Sequence, residues 1–231
     1  MMHTLLFGSR EIFFKLIYGQ RKSLGITVTP DMEVIVKAPH GATLDKVKEK
    51  VRKRAPWIIK QQSFFLAFFP KSPAKRFVPG ETHLFLGRQY QLKFAKASKV
   101  TVSRKGRNIE VQCKSKKDIK TVLGKWYRVK AKSTFSEIAE PLIQRFKKYN
   151  VEPKGVFIQT MATRWGSCTP RGKIILNPEL IKAPKACIEY VIIHELCHLV
   201  HHNHTQKFLD LQSKEMPDWK KWKAKLEKFL A

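Results

Sequence analysis

One stretch constrains this chain more than any other: Ile188 to His204, IEYVIIHELCHLVHHNH. Within it, His194 to His198 reads HELCH and matches the pattern H-E-x-x-H. On a helix, positions four apart share a face one turn apart, so His194 and His198 can turn imidazole nitrogens toward one ion. Glu195 then stands beside that ion, placed to take a proton from its water without binding the ion itself. The pentapeptide alone is weak, because two histidines on a polar helix face match it by chance. The flanks argue otherwise: Ile188, Val191, Ile192, Ile193, Leu196, Leu199 and Val200 leave little polar face. A helix apolar on most sides is buried, and buried His, Glu and His need partners. A metal ion supplies them.

Asn203 stands where this helix should end, since Asn tolerates the left-handed conformation that turns a chain. His204 follows, and a chain that has just reversed can return it as a third ligand. Three neutral histidines with one open position make a catalytic site rather than a closed structural one, with Zn2+ the expected ion. Such an ion lowers the pKa of its bound water to about 7. His201 and His202 are left over, and read as solvated residues at the negative end of the helix dipole.

Composition sets the frame for that site. The chain has 231 residues, 43% of them hydrophobic, enough for a real core in one large domain or two small ones. Its net charge of +28 comes from 46 Lys plus Arg against 18 Asp plus Glu. That balance favours polyanionic partners such as nucleic acid, with a merely solvated Lys-rich surface as the plain alternative, because the charges are spread along the whole chain. Cys113, Cys168, Cys187 and Cys197 form no C-x-x-C pair, which fits a reducing, cytoplasmic setting. The mildly apolar start is broken by Arg10 and Glu11 and does not read as a signal peptide. No apolar run approaches the roughly 20 residues of a bilayer span, so no membrane association is expected. The greasiest stretch, Ser63 to Phe69, is too short.

Period-two patterns predict strands at Glu11 to Tyr18, Leu24 to Thr29 and Glu33 to Lys37. Thr43 can cap a helix carrying Leu44, Val47 and Val51, which Pro56 should break. Pro70 to Gly80 reads as a linker. Strands follow at His83 to Leu86, Gln89 to Phe94, Val100 to Ser103 and Ile109 to Gln112. A helix then begins after Ser115 and carries Ile119, Leu123, Trp126 and Phe135, with Pro141 as an interruption. Val156 to Thr160 and Lys173 to Leu176 read as strands, and a hairpin leads straight into the helix that starts at Ala183-Pro184. An edge strand of that hairpin can take an extended peptide by strand addition above the metal. After His204 come two amphipathic helical segments divided by Pro217. No internal repeat is visible. The fold class is α+β, with a β-rich region at 1–114 containing a helical segment at 43–69, followed by residues 115–231 as the catalytic part.

Two motifs coincide in that part: TRWGSC at Thr163 to Cys168, and HELCHLVHHNH at His194 to His204. With LNPEL at Leu176 to Leu180, PWIIKQ at Pro56 to Gln61 and GETHLFLGRQYQL at Gly80 to Leu92, the chain resembles the YgjP-like metal-dependent hydrolases. That family is related to the SprT-like and WLM zinc proteins. The resemblance implies a zincin-like catalytic domain over 115–231, a small sheet beside an active-site helix. It implies zinc on His194, His198 and His204, with Glu195 as general acid and base. The His spacing also resembles the metzincins, but His201 stands where they carry Gly.

The leading function is therefore a zinc-dependent hydrolase, most simply a metallopeptidase acting on peptide or protein. Two alternatives stay open. The same chemistry suits a nucleotide or other anionic phosphoanhydride, and the basic surface suits a zinc protein associated with nucleic acid. Arg164 can bind substrate, stabilise an oxyanion or orient Glu195, with Trp165 walling the pocket. Equally, Arg164 can form a structural salt bridge and Trp165 belong to the core.

Overall fold

The computed structural model describes residues 2–8, 10–29, 31–66, 75–161, 164–169 and 171–230, with backbone alone at 64–66 and 229–230. It is a mixed α+β structure whose chain divides into two units, Met1–Pro73 and Ala74–Leu230.

The first unit contains β1 (Met2–Phe7), β2 (Arg10–Gly19), β3 (Gly25–Val28), β4 (Val34–Pro39) and α1 (Leu44–Leu66). The strands lie in the order β1-β2-β4-β3, with β2 and β4 parallel and the outer pairs antiparallel. Alternation places Ile12, Phe14 and Leu16 on one face, packed with Val47, Val51, Ala55 and Ile58 of α1. Sequence patterning does not mark β1. It also predicts a break at Pro56, yet α1 runs through it. An interior proline costs about 3 kcal/mol. Val47, Val51 and Ile58 are fully buried and contribute about 1.5–3 kcal/mol each, which outweighs that cost.

The second unit opens with β5 (Thr82–Phe85), β6 (Arg88–Lys96), β7 (Thr101–Lys105), β8 (Asn108–Cys113) and α2 (Ile119–Phe146). Their order is β5-β6-β8-β7, with β6 and β8 parallel and the outer pairs antiparallel. The chain thus uses the same four-strand-plus-helix topology twice, a repeat that residue identities conceal. What persists is the buried alternation: Val34, Val36 and Ala38 on β4 answer to Ile109, Val111 and Cys113 on β8. Leu92, Ile109 and Val111 share one core with Ile119 and Leu123 of α2. The second sheet consequently shares its core with the helices that follow it, and the chain's two compact units divide at 73/74. The expected linker at Pro70 to Gly80 lies in part outside the described residues. Pro141, like Pro56, sits inside a continuous helix, flanked by buried Ile138, Ala139 and Phe146.

A three-stranded sheet follows: β9 (Gly155–Ile158), β10 (Gly166–Cys168) and β11 (Lys173–Leu176), in the order β10-β11-β9. β10 runs antiparallel to β11 and forms an edge. Asn177 caps a 3-10 turn, Pro178–Lys182, and then come α3 (Lys185–Val200), α4 (Gln206–Glu215) and α5 (Trp219–Leu230). The β5–β6 turn is pinned to the entrance of α3. Leu86 and Gly87 are both left-handed, φ 50° and 77°, which is the geometry of a tight two-residue hairpin. Their N–H groups donate to Ile181 (2.8 Å) and Lys182 (2.9 Å) carbonyls. A Cβ on Gly87 would lie 3.0 Å from Pro184 Cα, so only glycine permits this approach. Among the described residues no helix is long and apolar enough to cross a membrane.

The ends of α2 and α4 are tied by Glu215, whose side chain is 3% exposed. It accepts from Tyr149 Oη (2.5 Å), Lys148 Nζ (2.8 Å) and Arg145 Nε (2.9 Å). Burial raises the pKa of this carboxyl, but the bonds from Lys148 and Tyr149 and the charges of Lys148 and Arg145 outweigh it and hold the pKa below the usual range. The charged form is therefore favoured in the fold, and its stabilisation is present above the unfolded pKa of about 4.3 and lost as pH falls through the folded value. Glu215→Gln should cost about 2 kcal/mol at neutral pH. The gap in melting temperature between wild type and variant should narrow in acid, which thermal melts across pH 3–7 will show.

Candidate metal centre

α3 is apolar on most sides, as its sequence indicates: Ile188, Ile192, Leu196 and Cys197 are fully buried. His194 and His198, both half-buried, turn toward the cleft with Glu195 between them. The helix ends at Val200, and His201 turns extended with φ −131°. Asn203, the residue expected to reverse the chain, is not among the left-handed residues. One bond closes the helix and a second holds the segment that follows. The His201 N–H donates to Cys197 O at 2.8 Å, and the His198 ring takes the His202 carbonyl. His204 is thereby returned over α3.

The three histidines meet. Their available ligand atoms lie within 4.8 Å of one another. Nε2 of His194 and Nε2 of His204 are 3.1 Å apart, close to the roughly 3.3 Å subtended by two nitrogens at about 2.05 Å on one tetrahedral ion. Each ring on α3 is oriented from behind. His194 Nδ1 donates to Gln212 Oε1 at 2.8 Å, and His198 Nδ1 donates to His202 O at 3.1 Å. An amide or carbonyl oxygen only accepts, so each Nδ1 carries the proton and each Nε2 keeps its lone pair for the centre. Phe208, fully buried, lies beneath all three rings at centroid distances of 5.1, 4.7 and 4.7 Å.

Electrostatics agree with that donor set. Burial chiefly, with help from His198 and His204, pushes the His194 pKa down to about 4. Burial, then His204, also lowers that of His198. Neutral imidazole is the form that binds a metal. The residues present therefore fit a divalent ion with nitrogen ligands. Glu195, beside them, is 5% exposed. Burial pushes its carboxyl up to about 7, against the Arg164 charge and the Cys168 backbone N–H, which lower it.

These groups open onto a cleft of about 940 Å³. His194, Glu195, His198, His204, Arg164 and Trp165, all singled out from sequence, line it together. Arg164 is exposed on the wall, with its charge felt by Glu195, and Trp165 is half-buried against the core. His202 lines the cleft too, contributing its carbonyl to His198. The Cys168 thiol is pushed up to about 11, by burial first and Glu195 second, so it stays protonated rather than acting as a thiolate ligand. Sequence reading missed Gln212 and Phe208. They stand on α4 without a local motif, and only the packing of α4 on α3 brings them to the rings.

A family model described as YgjP-like, metallopeptidase domain, matches residues 22–229. The chain belongs to the YgjP-like family and is a metal-dependent peptidase. A search of curated proteins finds no match. Among solved structures, the crystal structure of the metallopeptidase zymogen of Pyrococcus abyssi abylysin is similar at 23% identity with a TM-score of 0.36, covering 40% of this chain and 94% of that one.

Gln212 is 1% exposed and its only side-chain bond among the described residues is to His194. A partner behind a ligating imidazole is worth about 10–100-fold in metal affinity. Gln212→Ala should weaken metal binding by that amount in a competition titration against a chromophoric chelator. Unchanged affinity would show that the bond does not orient the ring.

Proposed function

We propose that the protein is a zinc-dependent peptidase in which His194, His198 and His204 hold the ion and Glu195 is the general base. The observation that carries this reading is the convergence of three imidazoles, two of them aimed from behind, beside one buried carboxylate. An all-nitrogen set of this size suits zinc with an open position, and zinc supplies Lewis acidity and an acidified water there.

The chain's own residues do the rest. Glu195 takes the proton from the attacking water and delivers it to the leaving amine nitrogen. Arg164, exposed on the cleft wall and bearing charge near the reacting carbonyl, binds substrate or its developing oxyanion. Trp165 walls the pocket beside it. Among the described residues the outer edge of β10 has no strand partner along the cleft, so an extended peptide can add to it as a further strand and present its carbonyl to the centre. That open strand edge favours a peptide over a nucleotide.

Glu195→Gln should retain zinc and lose about 10²–10⁴ in kcat on labelled casein, the range a general base contributes. A nucleotide panel should show no turnover with either protein. Wild-type activity in Glu195→Gln would remove the glutamate from the mechanism.

A further inference from the structure

The TRWGSC segment and the LNPEL segment are both prominent in the sequence, and the peptidase reading leaves most of their residues without work. Their geometry converges on Glu195. Asn177 of LNPEL is 3% exposed and fully engaged. Its Nδ2 donates to Met161 O at 2.8 Å and to Arg164 O at 3.1 Å. Its backbone N–H donates to Trp165 O at 2.9 Å. Its Oδ1 accepts from Glu179 N at 3.2 Å, capping the turn that follows. One buried side chain and its own backbone therefore hold the carbonyls of Met161, Arg164 and Trp165, the residues that lead into β10.

β10 then passes the glutamate. Trp165 O and Thr169 N bond inward to Asn177 and Lys173. By the alternation of an antiparallel pair, the backbone groups of Gly166 and Cys168 face the open edge. The Cys168 N–H acts there on the Glu195 carboxylate. At Gly166 the approach is closer still. A Cβ at this position would stand 2.6 Å from Glu195 Oε1, 2.9 Å from Glu195 Cγ and 2.8 Å from Val191 Cγ1. Gly166 is not among the left-handed glycines, so its backbone conformation is open to any residue. Space is what requires glycine here.

We propose that Gly166 and Asn177 are positioning residues for Glu195: Asn177 holds the entry to β10 in place, and Gly166 lets the strand lie against the glutamate side chain, so that the carboxylate is confined to one position. The inference rests on the catalytic role proposed above for Glu195. It gives the two motifs one shared role, in which the wall of the cleft is built as a back-stop for the base. Asn177 stands behind the strand and away from substrate, Gly166 meets an added peptide only through its edge-facing backbone groups, which alanine would keep, and neither residue offers the ion a side-chain ligand.

The test compares Gly166→Ala with wild type in four readouts: zinc content, melting temperature, kcat and KM on labelled casein, and the crystal structure of the variant. A misplaced base costs about 100-fold in rate. The expected result is a kcat lower by about that factor, with KM and zinc content unchanged, because the glutamate acts only in the transition state. In the crystal, the Glu195 carboxylate should be displaced by about 1 Å or more. Unchanged kcat, or a glutamate that superposes on its wild-type position, overturns the proposal. Asn177→Ser provides a second arm should Gly166→Ala fail to fold. Serine still caps the following turn but is too short to reach both carbonyls, so kcat should fall about tenfold with zinc retained; wild-type kcat in this variant overturns the role of Asn177. Glu195→Gln separates the two levels. Full activity there removes the catalytic glutamate and this inference with it. An inactive Glu195→Gln beside a fully active Gly166→Ala removes the positioning role alone.

Discussion

Three imidazoles that share one small volume must all be neutral and all be aimed, and much of the second unit follows from that requirement. Protonated, they would repel one another at centroid separations of 4.6–5.0 Å. Burial favours the neutral form of His194 and His198 by penalising the charged one. Aim comes from oxygen acceptors behind the rings, Gln212 for His194 and the His202 carbonyl for His198. The apolar floor comes from Phe208. Both Gln212 and Phe208 belong to α4, so the centre exists only while α4 is docked on α3.

The docking is itself tied down at two places. At one end, Glu215 joins α4 to Arg145, Lys148 and Tyr149 near the end of α2. At the other, the β5–β6 turn bonds to the residues that lead into α3. α2 lies between, sharing its core with the second sheet on one side and α3 on the other. This explains why the sheet β5–β8 belongs to the catalytic unit. It is a support against which the start of α3 is registered.

How much of this was legible in the sequence varies with the range of the interaction. That α3 is a helix and that His194 and His198 share one face were legible because helical spacing is local, and Glu195 follows the first of them. The strands were legible wherever buried and exposed residues alternate, as at Ile12, Phe14 and Leu16. Pro56 and Pro141 misled, since a local rule about proline does not count the buried side chains on either side. Asn203 misled as well: its tolerance of the left-handed conformation was real, but the helix ends at Val200 and the chain passes Asn203 without a left-handed residue. Gln212, Phe208 and the clamp at Asn177 were invisible because each acts across tertiary contacts. The repeated topology escaped as well, because burial periodicity survives in it while residue identity does not.

The proposed centre rests on His204, the one candidate ligand supplied by a chain reversal rather than by helix geometry. The most direct measurement is the metal content, by elemental analysis, of wild type and His204→Ala, both purified without chelator. About one zinc per chain in wild type and its near-complete loss in the variant are expected. No metal in wild type after zinc is added back, or equal zinc in both proteins, would contradict a three-histidine centre.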